Sequence, residues 1–270
     1  MFPVPRFIQG IPVVSRWMNS AFRSYARNFR HQYTVEERFG LLFLLDQVNA
    51  VDRNLLLKGN WENKQIAFLT GLVRAAQTPG RRMVFCDIGA HGGLYAMLMQ
   101  RTGAFATIIA IEPDPVNVVQ LRANLLLNTM LEQIRIVEAA ATDQTGVIDF
   151  FIAIDSHRGG SRIGVTGEAP LARKTTVKAM RADDVINEKG VGLVIKIDVE
   201  TYEMQVLAGL EQSLRENDCI LQIEIFPDNL DRVTTHLASL GYERIKTIVF
   251  DHYFVAGRRA EISGPMTEAP

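Results

Sequence analysis

Three ionisable side chains alternate near the end of an otherwise aliphatic run of the sequence. They are Lys196, Asp198 and Glu200, and one apolar residue separates each from the next. Because successive side chains of a strand point to opposite faces, the three groups are expected to share one face or edge. Charges in such a run are costly to bury unless they are paired. The pattern therefore predicts a chemical centre at the carboxyl end of a strand, where ligands lie in open α/β sheets.

The chemistry that suits this centre is removal of a proton from an alcohol substrate, which is called the acceptor below. Asp198, Glu200 and Glu224 of the following strand are candidate bases, and His157 is a further one. Lys196 would keep a carboxylate ionised or orient the acceptor oxygen. The alternative is an ion pair from Lys196 to Asp198 or Glu224 that braces the sheet, and it is compatible with a binding role.

No metal site is predicted, because the five histidines are scattered without ligand spacing and no cysteine joins them. A magnesium ion held by Asp198 and Glu224 is the alternative.

A glycine-rich turn follows an apolar run that ends on an acid, in the sequence Asp87-Ile88-Gly89-Ala90-His91-Gly92-Gly93. The dinucleotide fingerprint G-x-G-x-x-G lacks its second glycine here, because His91 stands in that place. A carboxylate beside a pyrophosphate is electrostatically unfavourable, whereas it suits the sulfonium and ammonium groups of S-adenosylmethionine. The turn therefore favours S-adenosylmethionine as the cofactor. The alternative is a tight corner in which Asp87 caps the next helix.

A second acid, Glu112, ends the next apolar run. An acid at the tip of the second strand can accept both ribose hydroxyls of an adenosyl group, and this holds for NAD as well. The alternative is an acid that favours the N-terminus of the following helix. The predicted cofactor-binding residues are Asp87, Gly89, Ala90, His91, Gly93, Tyr95, Glu112, Pro113, Asp114 and Ala140.

Two regions with different patterns position these residues. Residues 1–80 are predicted to be all helical, and a capping box at Thr34-Val35-Glu36-Glu37 starts a helix through about Val48. A further helix is predicted from Trp61 to Ala76, and strands and helices alternate from Met83 onward. Strands are predicted at 83–88, 107–112, 134–140, 147–154, 192–198, 219–226, 243–249 and 251–256, with a short one at 174–179. Helices are predicted at about 93–101, 115–127, 181–187, 202–214 and 228–239.

The last two predicted strands are too close together for a helix between them, so they must pair antiparallel. The expected fold is α/β, namely a class I methyltransferase, Rossmann-like fold. It has a mostly parallel sheet with a terminal antiparallel hairpin, preceded by an N-terminal helical extension. Residues 1–80 would form this extension or a lid, 81–260 the S-adenosylmethionine-binding domain, and 261–270 a disordered tail.

The composition limits the kinds of binding partner and the cellular location to expect. The chain has 270 residues and a net charge of −1, which gives no reason to expect nucleic acid. No apolar run approaches the roughly 18 residues of a membrane span. Cys86 and Cys219 lie in apolar runs and are expected to be buried thiols, which suits a reducing, cytoplasmic location.

The N-terminal stretch is basic and amphipathic. Residues 1–33 carry five arginines and no acid, and a helix from about Val14 would separate arginines from aromatic residues. Such a helix can lie on an anionic membrane surface, which would make the protein peripheral to a membrane. The alternative is packing on the main domain or on a second subunit, as in a homodimer.

The sequence signals for residues that bind the acceptor are weaker. The glycine-rich stretch 155–162 is polar and is predicted to close over an acceptor through His157 and Ser161, or else to form a solvated hairpin. Trp61 is predicted to form a wall of the pocket, with a core position as the alternative.

The motifs together resemble the FkbM family of S-adenosylmethionine-dependent methyltransferases over about residues 50–250. The resemblance rests on Asp87 to Gly93, Ile111-Glu112-Pro113-Asp114-Pro115 and Lys196-Ile197-Asp198-Val199-Glu200, with Glu203, Val206-Leu207, Asn124 to Asn128, Ala139-Ala140-Ala141, Thr145-Gly146 and Glu224. It implies methyl transfer, usually to a hydroxyl of a sugar, polysaccharide or other natural product.

Two residues depart from the family pattern. His91 stands where the family commonly has Asn, and Thr201 where it usually has Gly. Thr201 removes conformational freedom at a bend near the reaction centre. Two other functions are considered. One is a dinucleotide oxidoreductase, and the missing glycine at His91 counts against it. The other is a non-catalytic cofactor-binding or scaffold protein, which the departure at Thr201 suggests.

Overall fold

The computed structural model describes residues 32–153, 162–163 and 172–256. The strands of these ranges are β1 (Tyr33–Arg38), β2 (Leu41–Asp46), β3 (Met83–Ile88), β4 (Thr107–Ile111), β5 (Ile134–Val137), β6 (Ala140–Thr142), β7 (Gly146–Ala153), β8 (Arg162–Ile163), β9 (Ala172–Arg181), β10 (Gly192–Ile197), β11 (Asp218–Glu224), β12 (Tyr242–Ile248) and β13 (Asp251–Ala256). The helices are α1 (Ala50–Lys58), α2 (Asn63–Ala76), α3 (Leu94–Arg101), α4 (Pro115–Leu127), α5 (Ala182–Ile186), α6 (Glu203–Gly209), α7 (Glu211–Glu216) and α8 (Pro227–Ser239).

A seven-stranded sheet organises the chain, in the order β12-β13-β11-β10-β3-β4-β5. Strands β11, β10, β3, β4 and β5 run parallel, and β13 pairs antiparallel with both β11 and β12. The prediction of a mostly parallel sheet closed by a terminal hairpin is therefore confirmed. It follows from alternating βα units and from the short β12–β13 connection, which permits only antiparallel pairing.

Hydrophobic cores lie on both faces of this sheet, because its central parallel strands are mostly apolar and buried. Along β3, Val84 and Cys86 belong to one core, whereas Met83 and Phe85 belong to the other. Helices α5 to α8 contribute to the first core and helices α1 to α4 to the second. Cys86 and Cys219 are buried free thiols, as predicted.

The register places three polar residues side by side on the second face. Lys196 of β10 lies opposite Asp87 of β3 and opposite Gln222 of β11. All three are buried. A polar row in the middle of an apolar sheet is stable only if its members are paired or hydrogen-bonded, so it marks the place where the site begins.

The predicted helix from Thr34 to about Val48 is wrong, because β1 and β2 form an antiparallel hairpin there. The connection consists of Phe39 and Gly40, whose φ values are 54° and 70°. Two consecutive residues with positive φ form the hairpin turn that matches the twist of paired strands. Residues 1–80 are therefore not all helical, although α2 confirms the helix predicted at 61–76. The helix predicted from Val14 lies outside the described residues.

Side chains of α4 anchor this hairpin to the main domain. Asn128 and Asn124 accept hydrogen bonds from the backbone N–H groups of Leu42 and Leu44, at 2.9 and 2.7 Å. Gln120 donates to the Leu44 carbonyl at 2.8 Å. Three amide side chains along one helix thus act as the partner of β2, and they hold the hairpin beside the glycine turn.

A second, four-stranded sheet has the order β6-β9-β7-β8. The single strand predicted at 134–140 is in fact two: β5 pairs in the main sheet, and β6 pairs with β9. The strand predicted at 174–179 extends over all of β9, because it pairs with the whole of β7. The helix predicted at 202–214 is likewise divided into α6 and α7.

Among the described residues, no helix is long and apolar enough to cross a membrane. The predicted tail 261–270 lies outside the described residues, and the domain boundary near residue 80 stays a prediction.

Candidate active site

A cavity of about 420 Å³ lies at the carboxyl ends of β3, β4, β10 and β11. Its walls include eight of the predicted cofactor residues, namely Asp87, Gly89, Ala90, His91, Tyr95, Glu112, Pro113 and Ala140. They also include the four predicted catalytic residues, Lys196, Asp198, Glu200 and Glu224, together with Trp61. The chain thus brings both predicted groups to one cavity, while their individual roles stay predictions.

The glycine turn passes very close to the backbone at the end of β10. Gly89 has φ of 82°, and a Cβ placed there would lie 1.8 Å from the Asp198 carbonyl oxygen. No side chain fits, so the turn passes directly against the end of β10. The N–H groups of Gly89 and Ala90 both donate to the carbonyl of Ile111, at 2.9 and 3.1 Å. The turn is therefore fixed to β4 and β10 at once.

Two predicted cofactor residues do not line the cavity. Gly93 is the N-cap of α3 with φ of 86°, and Leu121 packs against the place where its Cβ would be. Asp114 is the N-cap of α4, and its side chain accepts a hydrogen bond from the N–H of Val116 at 2.9 Å. Both residues shape the turns on which the cavity depends.

His91 occupies a left-handed position in the turn, with φ of 48°. Asn is enriched at such positions, so the departure from Asn to His retains the backbone geometry at some cost. The His91 N–H donates to Glu112 at 2.8 Å, and its Nε2 lies 2.9 Å from Nδ2 of Asn49. Oδ1 of Asn49 already accepts the N–H groups of Val51 and Asp52, as the N-cap of α1. The Asn49 amide therefore donates to Nε2 of His91, which fixes the orientation of the ring.

Glu112 is buried and held in place by three donors. Its oxygens accept hydrogen bonds from the N–H groups of His91 and Asp114 and from the amide of Asn117. Burial raises the pKa of Glu112 to about 7, and these hydrogen bonds oppose the rise. A carboxyl that ionises near neutral pH at the tip of β4 can accept hydroxyl hydrogen bonds from an adenosyl ribose.

Asp87 is a cap and a cavity wall at the same time. Its Oδ2 accepts the N–H of Ala96 in the first turn of α3 at 3.0 Å, which is the capping role considered from the sequence. Burial raises the pKa of Asp87 to about 6, although Lys196 counteracts it. Capping and cofactor binding are compatible, because the side chain also lines the cavity.

Lys196 is a buried cation among carboxyl groups. Its Nζ lies 2.9 Å from Oδ2 of Asp198 and 4.8 Å from the centroid of the Tyr95 ring. Burial lowers the pKa of Lys196, but the charges of Asp198, Glu62 and Asp87 outweigh burial and raise that pKa well above its ordinary value. The ammonium is therefore permanently charged.

Asp198 and Glu224 form a carboxyl pair that shares one proton. Burial, the Asp198 charge and the hydrogen bond between them raise the pKa of Glu224 to about 9. For Asp198, burial acts in the same direction, but Lys196 and the Glu224 hydrogen bond outweigh it and lower the pKa. Near neutral pH, Glu224 is thus a neutral acid that donates to an ionised Asp198. Asp198 keeps 30% of its side chain exposed, in contrast to 4% for Lys196.

A chain of hydrogen bonds extends from this centre to the N-terminal region. The Tyr95 hydroxyl donates to Glu62 at 2.7 Å. Gln222 donates both to Tyr95 Oη at 3.0 Å and to Asp251 at 2.7 Å. Gln65 donates to the other oxygen of Asp251 at 3.3 Å. Two acids distant in sequence are thereby oriented by one buried tyrosine and one buried glutamine.

The bend after β10 is strained. Glu200 and Thr201 have φ of 48° and 77°, a region that β-branched residues avoid. Glu203 stabilises the bend, because its carboxylate accepts the Thr201 N–H at 2.8 Å and the Asn229 amide at 3.0 Å. This is the physical meaning of the departure at Thr201: threonine adopts a conformation for which glycine is better suited.

Sequence reasoning missed the walls that precede the glycine turn. Phe43 of β2 and Val51, Asp52 and Leu55 of α1 line the cavity, and Asn117, Asn124 and Phe150 do so farther along the chain. Asn49, directly before α1, carried a recognisable N-cap signal. Of the predicted acceptor residues, Trp61 lines the cavity, whereas His157 and Ser161 lie outside the described residues. Within the described ranges, no group of three or more His, Cys, Asp or Glu side chains could hold a metal ion.

Comparison with known proteins defines the class. A family model described as the methyltransferase FkbM domain matches residues 87–244. The chain therefore belongs to the FkbM methyltransferase domain family, and the predicted resemblance is confirmed.

Individual relatives are distant. The chain is 27% identical over 158 residues to the 31-O-demethyl-FK506 methyltransferase FkbM of Streptomyces tacrolimicus, and the match spans 48% of this chain and 60% of that one. The crystal structure of methyltransferase FkbM from Methylobacillus flagellatus is similar with a TM-score of 0.45 at 17% identity, over 92% of this chain and 60% of that chain. TYW2 of M. jannaschii, crystallised with AdoMet, has a TM-score of 0.41 at 14% identity, over 84% of this chain and 85% of that chain. The chain thus spans 60% of the length of each of the first two proteins.

Proposed function

We propose that this protein is an S-adenosylmethionine-dependent O-methyltransferase that acts on a hydroxyl of a sugar, polysaccharide or other natural product. The observation that carries the proposal is the Lys196–Asp198–Glu224 centre, which lines one cavity together with the glycine turn. A dinucleotide oxidoreductase is disfavoured, because the family is one of methyltransferases.

The donors and charges of the cavity fit S-adenosylmethionine. This cofactor presents a sulfonium, an ammonium and two ribose hydroxyls, all of which carboxylates attract or accept. Asp87 and Glu112 are the carboxyl groups that would hold it, and Asp198 is the ionised group nearest the chemical centre. The cofactor supplies an electrophilic methyl group when it is bound.

The residues of the chain have three tasks in this reaction. The cavity aligns the acceptor oxygen for in-line displacement, from which much of the rate can come. The acceptor proton passes to the ionised carboxylate of Asp198, for which general-base catalysis contributes about 10²–10⁴. Lys196 keeps Asp198 ionised, and Glu224 stabilises the same charge by donating its proton.

The directions of the pKa shifts support Asp198 over Glu224 as the base, while Glu200 stays a candidate. Glu224 must first lose a proton that it holds up to a pKa of about 9, so it cannot accept one near neutral pH. Asp198 has a lowered pKa and is ionised, but it is a weak base for the same reason. We infer that Asp198 accepts the proton late, as the oxygen–carbon bond forms, and that Glu224 moderates its basicity.

Incubation with S-adenosylmethionine carrying a ¹³C-labelled methyl group tests the proposal. The purified protein is added to fractionated glycans and small molecules, and the labelled product is identified by NMR. A labelled methyl carbon on oxygen is expected, and its loss in Asp198→Asn is expected as well. A methyl group found on nitrogen would refute O-methylation, while no binding of S-adenosylhomocysteine in calorimetry would refute the methyltransferase function itself.

A further inference from the structure

A second cavity of about 360 Å³ adjoins the first. It lies between the segment that joins α1 to α2 and the β12–β13 turn. Trp61, Glu62 and Glu224 line both cavities. The second cavity therefore reaches Glu224 of the carboxyl pair, and it has room for a ring-sized group.

The second cavity is built almost wholly from segments outside the stretch that defines the family. Only Glu224 of its ten lining residues falls within the matched residues 87–244. The first cavity, in contrast, takes its glycine turn, its Glu112 tip and the end of β10 from that stretch. Cofactor binding is the common property of a methyltransferase family, so a cavity that takes only one lining residue from the matched stretch suits the acceptor better than the cofactor, although β2 and α1 also contribute walls to the first cavity.

The lining has the chemistry of a site for hydroxyl groups. Glu62, Glu224 and Asp251 supply carboxyl oxygens, and Asn63 and Gln65 supply amides that both donate and accept. Trp61 adds a large apolar surface against which the C–H face of a saturated ring can pack.

The charges in this wall disfavour an anionic acceptor. Glu62 and Asp251 belong to the same buried hydrogen-bond network, which runs through Tyr95 and Gln222. Burial raises the pKa of Glu62, and the charge of Asp251 raises it further. Lys64 lines the cavity but is exposed, and Lys196 is engaged with Asp198 under the Tyr95 ring. A carboxylate or phosphate on the acceptor would meet acids that already repel one another.

The backbone also marks this wall. Glu62 and Val249 both have positive φ, of 50° and 59°. Non-glycine residues persist in this region only where their surroundings hold them, and such residues cluster at functional sites. For Glu62, the Tyr95 hydroxyl provides that restraint.

We propose that the second cavity is the acceptor site, that it takes an uncharged polyhydroxylated ring, and that Glu62 and Asp251 reject anionic acceptors. This inference rests on the proposed function for the identity of the reacting hydroxyl. The location of the acceptor and the charge selection are independent of it.

Fluorescence of Trp61 provides the assay. Trp17 and Trp61 are the two tryptophans of the sequence, so Trp17→Phe leaves Trp61 as the sole reporter. The probes are methyl β-glucopyranoside and methyl β-glucuronide, matched in shape but neutral and anionic, and they are added to protein saturated with S-adenosylhomocysteine. The neutral probe is expected to change the emission and to bind at least about tenfold more tightly than the glucuronide. In Glu62→Gln and in Asp251→Asn this ratio is expected to shrink. No response to the neutral probe, or equal binding of the two, overturns the proposal.

A covalent plug locates the site. Asn63 is exposed on the cavity wall, while Cys86 and Cys219, the two cysteines of the sequence, are fully buried. In Asn63→Cys, labelling with N-ethylmaleimide is expected to abolish the Trp61 response and to leave the affinity for S-adenosylhomocysteine unchanged. The matched control is Glu132→Cys, exposed and away from both cavities.

An unaltered probe response after labelling of position 63 overturns the acceptor location. If S-adenosylhomocysteine does not bind even to the unlabelled protein, the proposed function fails instead. The two failures are thus distinguishable.

Discussion

Replacement of Lys196 by Met tests whether this residue is the charge that holds the centre together. Met fills a similar volume but leaves Asp198, and with it Glu62 and Asp87, without their shared cation. Removal of one partner of a buried ion pair costs about 3–5 kcal/mol, because the other charge remains buried and uncompensated. The 30% exposure of Asp198 places the expected loss toward the lower end of that range. For a domain of this size a loss of about 3 kcal/mol should lower the melting temperature by roughly 6–12 °C.

The stability loss of Lys196→Met should depend on pH. In the intact protein the pKa of Asp198 is lowered, so its stabilising contribution is present above its unfolded pKa and is lost as the pH falls. In Lys196→Met, Asp198 and Asp87 lose the cation that lowers their pKa values, so the pKa of Asp87 rises further and burial is no longer outweighed by Lys196 at Asp198. Groups with raised pKa values in the folded state destabilise it as the pH rises. The deficit of Lys196→Met should therefore be smaller at about pH 5 than at about pH 8.

The assay is thermal unfolding followed by circular dichroism across this pH range. Lys189→Met is the matched control, since Lys189 pairs with Glu216 at 3.0 Å but both side chains are largely exposed, at 61% and 36%. An exposed pair contributes little, so no resolvable change is expected in the control. A deficit in Lys196→Met that is no larger than in Lys189→Met, or one that grows toward acid pH, would refute the reasoning.

Three further predictions concern single residues of the site, and a fourth concerns the N-terminal stretch. Thr201→Gly relieves a left-handed threonine that costs about 1–2 kcal/mol, offset by about 0.5–1 kcal/mol of glycine entropy, so chemical denaturation should show a stability gain of up to about 1.5 kcal/mol. Glu112→Gln should weaken the binding of S-adenosylhomocysteine by about 10–100-fold in calorimetry at pH 8. The affinity of the intact protein for this ligand should rise with pH through the Glu112 pKa of about 7, and the rise should be absent from the variant. In the intact protein, methyl transfer should accelerate as Glu224 ionises toward pH 9, because Asp198 then loses its donor; Glu224→Gln, whose amide keeps donating, should show a flat profile there, and an unchanged rise would count against the shared proton. Flotation with anionic vesicles should decrease with salt for the full chain and be weaker for a chain that begins at Thr34; equal flotation of the two would remove the predicted membrane contact.

The strands and helices of the main sheet were predictable because their signals are local. Strand β3, helix α4 and strand β13 begin and end where hydrophobic periodicity and turn residues place them. The β1–β2 hairpin was missed because a capping-box pattern at Thr34 competes with an alternating strand pattern. The deciding signal was the two-residue Phe39-Gly40 turn, supported by the distant amides of Asn124 and Asn128.

The candidate site shows the same limit. Alternation in β10 predicted that Lys196 and Asp198 lie close together, and both line the same cavity as Glu112. The protonation of Glu224 was beyond the sequence, since it depends on burial and on the distance to Asp198 across two strands. The same is true of Glu62, whose orientation is set by Tyr95 from a helix that follows it in the chain.

The N-terminal hairpin and α1 help to line the cavity that contains the predicted cofactor residues. Asn49 fixes the ring of His91, Asp52 accepts from Gln120 at 2.6 Å, and Phe43 supplies an apolar wall. Each contact joins a residue before the family-matched stretch to one within it, or to the cavity between them. If the hairpin separated from α4, Asn49 and Asp52 would lose their partners and the His91 backbone that orients Glu112 would lose its restraint. Unfolding of residues 33–58 should therefore be coupled to cofactor affinity, so saturation with S-adenosylhomocysteine should slow amide hydrogen exchange in β2 as much as in the glycine turn. Protection confined to the glycine turn would show that the hairpin does not take part in binding.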